Sequence, residues 1–364
     1  MIQTDYKRCF IVSDTHFGAR NSSYEWLDIM KDYFHNFFFP LLKREGRPGD
    51  FVMHCGDVFD SRHSLNLLVM NETMQIFEEM AKIMPVVIIL GNHDIYRKDS
   101  NEVNSAKILK WIPNITVLEE PDIMKVANNT LLLMPWRKSV EEEIKCVSEN
   151  DADYLFCHTD VKGLKFNKFT EVETGLDLKV MDKFKRVYSG HIHYTQTNKN
   201  FRMVGCPYQL TRSDMNNGKG IWIVDFEKDT ETYFKNDYSP SFMRVIFEKI
   251  LEMEVEDVNK MVTNNFVDIL VHPKWSLNFP FSTFAEELSG YKRLDFIPRT
   301  TDIDENGEII PDEGTTLENF DVLTLAEKVI NNTSHSDELK ENLKKTVKIL
   351  YENTVKANTN EYEN

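Results

Sequence analysis

Residues 85–94 read PVVIILGNHD. Val86, Val87, Ile88, Ile89 and Leu90 form an apolar run of strand length, rich enough in β-branched side chains to be buried on both faces. The run stops on Gly91 and then presents an amide, an imidazole and a carboxylate in succession, Asn92, His93 and Asp94. A turn alone needs none of that chemistry. The design recurs four more times. CFIV at 9–12 runs into SDTHFG, DFVMHC at 50–55 into GDVFD, YLFC at 154–157 into HTD, and RVYS at 186–189 into GHIH. Five strands thus deliver polar groups at their carboxyl ends.

Helical patterns lie between the strands. Residues 23–45 carry apolar positions at helical spacing until Pro40, and residues 65–84 place Met70, Met74, Phe77, Met80 and Ala81 on one stripe. Phe37, Phe38 and Phe39 continue a buried face and are read as core rather than as a base-stacking platform. Strands alternating with helices predict an α/β layered domain, in which ligands bind beyond the strand ends.

From about residue 240 the pattern becomes strand, helix, strand, helix, strand through residue 299, a small appended α/β unit. Residues 300–316 are acidic, turn-rich and poor in large apolar side chains, as a linker is. Two amphipathic helices follow. Leu317, Phe320, Leu323 and Leu325 form one apolar group, and Leu339, Leu343, Val347, Leu350 and Tyr351 a second, behind a Ser334 or Ser336 cap. With no evident core of their own, these helices are read as docking on another chain, with packing against their own domain as the alternative.

The 364 residues carry a formal charge of −16, which taken whole argues against a polyanionic ligand. The excess is local: residues 301–364 hold 15 Asp and Glu against 6 Lys and Arg. No apolar stretch approaches the roughly 20 residues that span a bilayer, and the opening MIQTDYKRCFIVSD lacks the features of a signal peptide, so no membrane partner and a cytoplasmic location are expected. Five cysteines without a CxxC pair fit small buried hydrophobes in a reducing compartment.

Singly, each polar motif is weak. A lone histidine after a strand is more often a hydrogen-bonded structural residue than a ligand. Together, Asp14, His16, Asp57, Asn92, His93, His158, His191 and His193 supply the oxygen and imidazole donors that suit two borderline divalent ions.

In that order and spacing, DTH, GDVFD, GNHD, CHTD and GHIH resemble the five motifs of calcineurin-like metallophosphoesterases. GDVFDSR, MPW at 134–136, SGHIHYTQ and VGCPYQLTRSDMNNGKGIWIVDF at 204–226 are similar to the SbcD branch, nucleases of double-strand break processing, and most of all to its bacteriophage recombination members. The resemblance implies a layered β-sandwich flanked by helices, with a small α/β capping domain and C-terminal helices. It divides the chain into a nuclease domain at 1–240, a cap at 241–299 that selects DNA ends, a linker at 300–316 and a partner-binding segment at 317–364. Asp14, His16 and His193 would hold one metal and Asn92, His158 and His191 the other, with Asp57 between them. GHIH would act as extended chain whose alternate residues reach neighbouring metals. His93 would protonate the departing oxygen, with Asp94 orienting its ring. Some cellular relatives carry a histidine where this chain has Asp60, so a second imidazole there is not expected.

The activity implied is that of a two-metal DNA nuclease, a 3′ to 5′ exonuclease on duplex ends and an endonuclease on single strands, using Mn2+ with Mg2+ as the alternative. The implied assembly is a homodimer through the helix at 65–84, and a heterotetramer with a coiled-coil ATPase of the SMC type. If phage-encoded, it would work in the host cytoplasm. Arg20, Arg62, Lys162, Lys165, Lys168, Arg202, Arg212 and Lys219 are candidates to meet DNA phosphates, each weighed against a plain surface charge. Two other readings stand beside this one: a phosphodiesterase or phosphatase on a substrate other than DNA, and a non-catalytic scaffold, whose signature of missing ligands is not found here.

Overall fold

The five runs that end on polar motifs are strands, Arg8–Val12, Asp50–His54, Val86–Ile89, Tyr154–His158 and Arg186–Gly190, buried at every residue except Arg186. The computed structural model describes residues 1–97, 100–168, 170–272, 275, 279–298, 330, 336 and 339–348.

Arg8–Val12, Asp50–His54, Val86–Ile89 and Ile115–Leu118 pair in parallel, and Gly220–Asp225 and Thr230–Lys235 extend this sheet by antiparallel pairing to six strands. In the second sheet, Asn129–Met134, Tyr154–His158, Arg186–Gly190 and Phe201–Met203 are parallel, among seven strands. Parallel pairing puts the carboxyl ends on one edge of each sheet. The polar motifs therefore emerge side by side.

Alternation along the strands sorts the side chains between layers. Cys9, Ile11, Phe51, Met53, Val87 and Ile89 meet Leu131, Leu133, Tyr154, Phe156 and Tyr188 of the other sheet. Phe10, Val12, Val52, Val86 and Ile88 turn instead to helices that contribute Trp26, Met30, Phe34, Phe77 and Met80. On the far side, Leu132, Met134, Leu155 and Val187 pack with Val147 of the helix Val140–Glu149. The result is the expected α/β sandwich, sheet on sheet with helices outside.

The helix expected to end near Pro40 continues past it. A π-helical turn, Phe34–Phe38, separates Tyr24–Tyr33 from Phe39–Glu45, and Pro40 falls in the first turn of the last piece. Just ahead of it Phe39 N–H donates to Phe34 O, the five-residue step of the π turn. Phe38 and Phe39 are buried and Phe37 packs against the same core. Helix Leu67–Ile83 is capped by Asn66, whose side chain accepts from the N–H of Leu68 and Val69. It buries Val69, Thr73, Ile76, Phe77, Met80 and Ala81, leaving Met70 and Met74 on its flank.

Phe242–Ile246, Phe266–Val271 and Arg293–Pro298 make a separate three-stranded sheet with helices Val255–Val262 and Phe281–Glu287. Trp26 stacks on Phe266 with ring centroids 5.4 Å apart, which ties the small sheet to the sandwich. Met1–Val271 and Leu277–Ile297 form one compact unit. His272–Ser276 and Pro298–Asn364 form a second, in which residues 339–348 are helical, with Leu339 exposed and Leu343 and Val347 half-buried. Residues 300–329, most of 331–338 and 349–364, which contain the linker and the remaining helical positions, lie outside the described residues. Among the described residues no helix is long and apolar enough to cross a membrane.

Candidate metal centre

Each motif turns as soon as its strand ends. Asp14, His16, Asp57 and His191 all have positive φ, at 52°, 47°, 56° and 93°, a region that non-glycine residues occupy at a cost and that clusters at functional sites. The main chain is bonded across motifs: Asp14 N–H donates to Gly56 O at 3.0 Å and His16 N–H to Asp57 O at 3.1 Å. Gly91 serves by its lack of a side chain rather than as a turn former. A Cβ there would stand 2.1 Å from Asp57 Oδ1 and 2.7 Å from His158 Cε1.

Two half-sites result. In one, Asn92 Oδ1 lies 3.0 Å from His158 Nε2 and 2.7 Å from His191 Nδ1. His158 Nδ1 bonds Cys55 O at 2.7 Å, and His191 Nε2 bonds Asp160 Oδ1 at 3.0 Å. Those outer bonds leave Nε2 of His158 and Nδ1 of His191 as the ligand atoms. In the other, Asp14, His16 and His193 bring a ligand atom each within 4.8 Å of one another. His16 Nε2 faces His193 Nε2 at 2.9 Å, and Asp60 Oδ1 stands 3.2 Å from His16 Nδ1.

Asp57 lies between them. Its Oδ2 is 3.3 Å from His158 Nε2 and 3.7 Å from His16 Nε2, while Oδ1 accepts the main-chain N–H of His93 at 2.7 Å. The donor set fits two divalent ions: Asp14 Oδ2 is buried without a hydrogen-bond partner, two imidazole nitrogens point at each other, and one carboxylate faces both groups.

Charge follows the geometry. Burial alone would raise the Asp57 carboxyl, but His158 and His16 overcome it and hold Asp57 well below the carboxylate range. Burial opposes protonation of His158, and Asp57 outweighs it, lifting the ring to about 9. Burial, then His16 and Lys219, push His193 well below the ordinary histidine value, so it stays neutral as a ligand must be. His54, by contrast, is a structural histidine: buried, lowered to about 3 by desolvation, and 3.0 Å from Thr15 Oγ1.

His93 is half-buried at the rim, its ring centroid 4.9 Å from that of His16. Its ring is steered by Asp60, whose main-chain carbonyl is 2.6 Å from Nδ1, and not by Asp94. Asp94 is fully buried, and its oxygens accept from the main-chain N–H of Asp57, Val58, Phe59 and Gly91. Those bonds leave it to lock two loops together, a positioning task in place of the expected contact with the His93 ring. GHIH is also not extended: His191 adopts a left-handed conformation, and Ile192 is buried while the flanking histidines diverge to different half-sites.

Three further residues belong to the centre. Asp160 follows directly on CHT, Trp136 of MPW lies 5.0 Å from the His191 ring, and Asp60 touches both His16 and His93. All three lay in quoted motifs, but nothing local marks them as partners of histidines. Half of the proposed DNA-facing cations are committed internally. Arg20 donates to Leu210 O, Arg202 pairs with Glu231, Arg212 with Asp268 and Asp295, and Lys219 with Asp214. Lys162, Lys165 and Lys168 remain exposed and Arg62 half-buried.

Over 190 residues the chain is 27% identical to Exonuclease subunit 1 of Enterobacteria phage T4, covering 50% of this chain and 55% of that protein. The chain thus spans little more than half the length of that relative. Over 279 residues it is 21% identical to Putative phosphoesterase 244L of Invertebrate iridescent virus 6, covering 74% and 91% of the two chains. A solved archaeal phosphodiesterase described as novel shares 14% identity, with a TM-score of 0.34, over 63% of this chain and 99% of its own. Residues 7–195, more than half of the chain and the span that holds every residue of the two half-sites, match the family Calcineurin-like phosphoesterase, whose members use divalent metals; the chain belongs to that family.

Proposed function

We propose that this chain is a two-metal DNA phosphodiesterase that works as the nuclease subunit of a recombination or break-processing complex. The observation that carries the reading is the convergence of Asp14, His16 and His193 with Asn92, His158 and His191 on either side of Asp57, with His93 at the rim. The similarity to a phage exonuclease subunit supports DNA as the substrate. The likeness of 204–226 to the SbcD branch supports exonuclease action from 3′ to 5′ on duplex ends, endonuclease action on single strands, and Mn2+ over Mg2+.

When bound, the two cations supply Lewis-acid polarisation of the phosphoryl oxygens and an activated water. The chain's own residues do the rest. Asp57 lies between the half-sites and offsets charge there, and Asn92 offers a neutral oxygen that adds none. Burial lowers the His93 ring below the ordinary histidine value, so its acid form is the minority near neutral pH; as imidazolium it would keep Nδ1–H bonded to Asp60 O and pass the proton on Nε2 to the departing oxygen of the scissile P–O bond. Trp136 and Ile192 restrict water behind the histidines.

The three-stranded sheet would cap the cleft, residues 317–364 would dock on a coiled-coil ATPase of the SMC type, and the helix at 67–83 would serve a homodimer, giving a heterotetramer. The similarity to an iridovirus phosphoesterase over 91% of that protein favours a second reading, phosphodiester hydrolysis on a substrate other than DNA. An Mn2+-dependent assay on blunt duplex and single-stranded DNA, with a model phosphodiester beside them, decides. Hydrolysis of DNA supports the nuclease; hydrolysis of the model diester alone, with or without the ATPase, replaces it with the second reading.

A further inference from the structure

The segment 204–226 was singled out by its sequence, yet it holds none of the ligands. Its side chains reach back to the loops that do. Tyr208, 1% exposed, donates from its hydroxyl to Thr15 O at 2.6 Å, and Thr15 sits between Asp14 and His16. Lys219, 3% exposed, donates from Nζ to His193 O at 2.5 Å. Asn217 makes reciprocal bonds with Thr195, its Oδ1 accepting from Thr195 N–H at 2.9 Å and its Nδ2 donating to Thr195 O at 3.0 Å. A Cβ at Gly205 would stand 2.6 Å from the same His193 carbonyl, so that turn closes directly on it.

Tyr208 reaches the loop of Asp14 and His16, and Lys219, Asn217 and Gly205 reach the 190–195 loop, which carries both His191 and His193, at its His193 and Thr195 end. The other half-site has separate braces, Cys55 O for His158 and Asp160 for His191. The segment is itself held rigid. Lys219 pairs with Asp214 Oδ1 at 2.7 Å, the other oxygen of Asp214 accepts from the N–H of Leu210 and Thr211, and Arg212 anchors the turn to Asp268 and Asp295 of the small sheet. A buried Lys–Asp pair is a poor source of stability and is more readily explained by what it orients.

We propose that residues 205–219 form a clasp that positions the ligands of one metal half-site only, that of Asp14, His16 and His193, with Tyr208, Asn217 and Lys219 as positioning residues. The inference rests on the two-metal reading above and adds to it which part of the fold controls which ion. Outer braces of this kind set ligand orientation and metal affinity without touching the metal.

Calorimetric titration of the full chain with Mn2+ alone tests it, with His193→Ala marking which binding event belongs to the clasped half-site. Tyr208→Phe with Asn217→Ala removes three of the bonds without exposing a charge, and is expected to weaken that event about tenfold while the second event keeps its wild-type affinity. Lys219→Met with Asp214→Asn removes both members of the buried pair together and is expected to weaken the same event further. Should this second variant fail to fold by circular dichroism, the first decides alone. Wild-type affinity for both events, or equal weakening of both, overturns the clasp. A wild-type chain that binds no Mn2+ overturns the two-metal reading, and the clasp with it.

Discussion

The main-chain N–H of His93 donates to Oδ1 of Asp57 at 2.7 Å, so the carboxylate placed between the two half-sites also fixes the turn that carries His93, the proposed leaving-group acid. In the proposed mechanism, metal binding and proton delivery are joined through one side chain. Asp57→Ala is therefore expected to empty both half-sites and to loosen the GNHD turn, whereas His193→Ala empties one. Metal content after dialysis, measured by inductively coupled plasma mass spectrometry, separates the two; one retained ion in Asp57→Ala would deny its bridging place.

His93 bonds the Asp57 carboxylate through its main-chain N–H and the Asp60 carbonyl through Nδ1, and its ring stands 4.9 Å from that of His16. His93→Gln should lower kcat by about 10²–10⁴-fold with Mn2+ stoichiometry unchanged, the range for loss of a general acid. Near-normal turnover on a substrate with an ordinary alkoxide leaving group would remove His93 from the reaction.

Without metal, Asp57 lifts His158 to about 9, so at about pH 7.5 the ring carries a proton that a ligand cannot keep. Uptake of Mn2+ should release that proton, and affinity should rise with pH up to about 9. Calorimetry in two buffers of different ionisation enthalpy reads the proton count directly; affinity independent of pH between about 6.5 and 9 would contradict the assignment.

Glu143 lies behind the centre, accepting from Thr159 Oγ1 at 2.6 Å, and burial pushes its carboxyl up to about 7. The folded chain then holds this proton more tightly than the unfolded chain. Stability should fall as pH rises from about 4.5 to about 7 and level off above, by about 3–4 kcal/mol for this group. Glu143→Gln should flatten that segment in urea titrations at stepped pH, and an unaltered slope would show that Glu143 ionises as freely folded as unfolded.

Gly91→Ala places a methyl 2.1 Å from Asp57 Oδ1. Overpacking of this kind costs about 1–3 kcal/mol, and here the group that must give way is the shared carboxylate. Chemical denaturation and Mn2+ titration should both show the loss; a variant as stable and as metal-competent as wild type would mean the loop relaxes at no cost.

Sequence reading succeeded where the property is local. The strands Arg8–Val12 and Val86–Ile89 follow from short apolar runs, and the candidate donors Asp14, Asn92 and His158 are what stands where each run stops. It failed at Pro40, where a π turn shifts the register, and at Asp94, whose neighbour in sequence, His93, is not its partner in space. Arg202 and Arg212 read as free cations in the sequence because their carboxylates, Glu231 and Asp268, are 29 and 56 residues away.

What the sequence by itself determined is the layered α/β architecture and the inventory of candidate metal donors, because apolar run length and side-chain chemistry are carried by neighbouring residues. Tertiary structure alone decided which imidazole nitrogen faces inward, that Asp60 rather than Asp94 steers His93, and that Tyr208, Asn217 and Lys219 bond Thr15, Thr195 and His193. These depend on hydrogen bonds that close only when segments as far apart as Thr15 and Tyr208 are brought within 2.6 Å by the packed sheets.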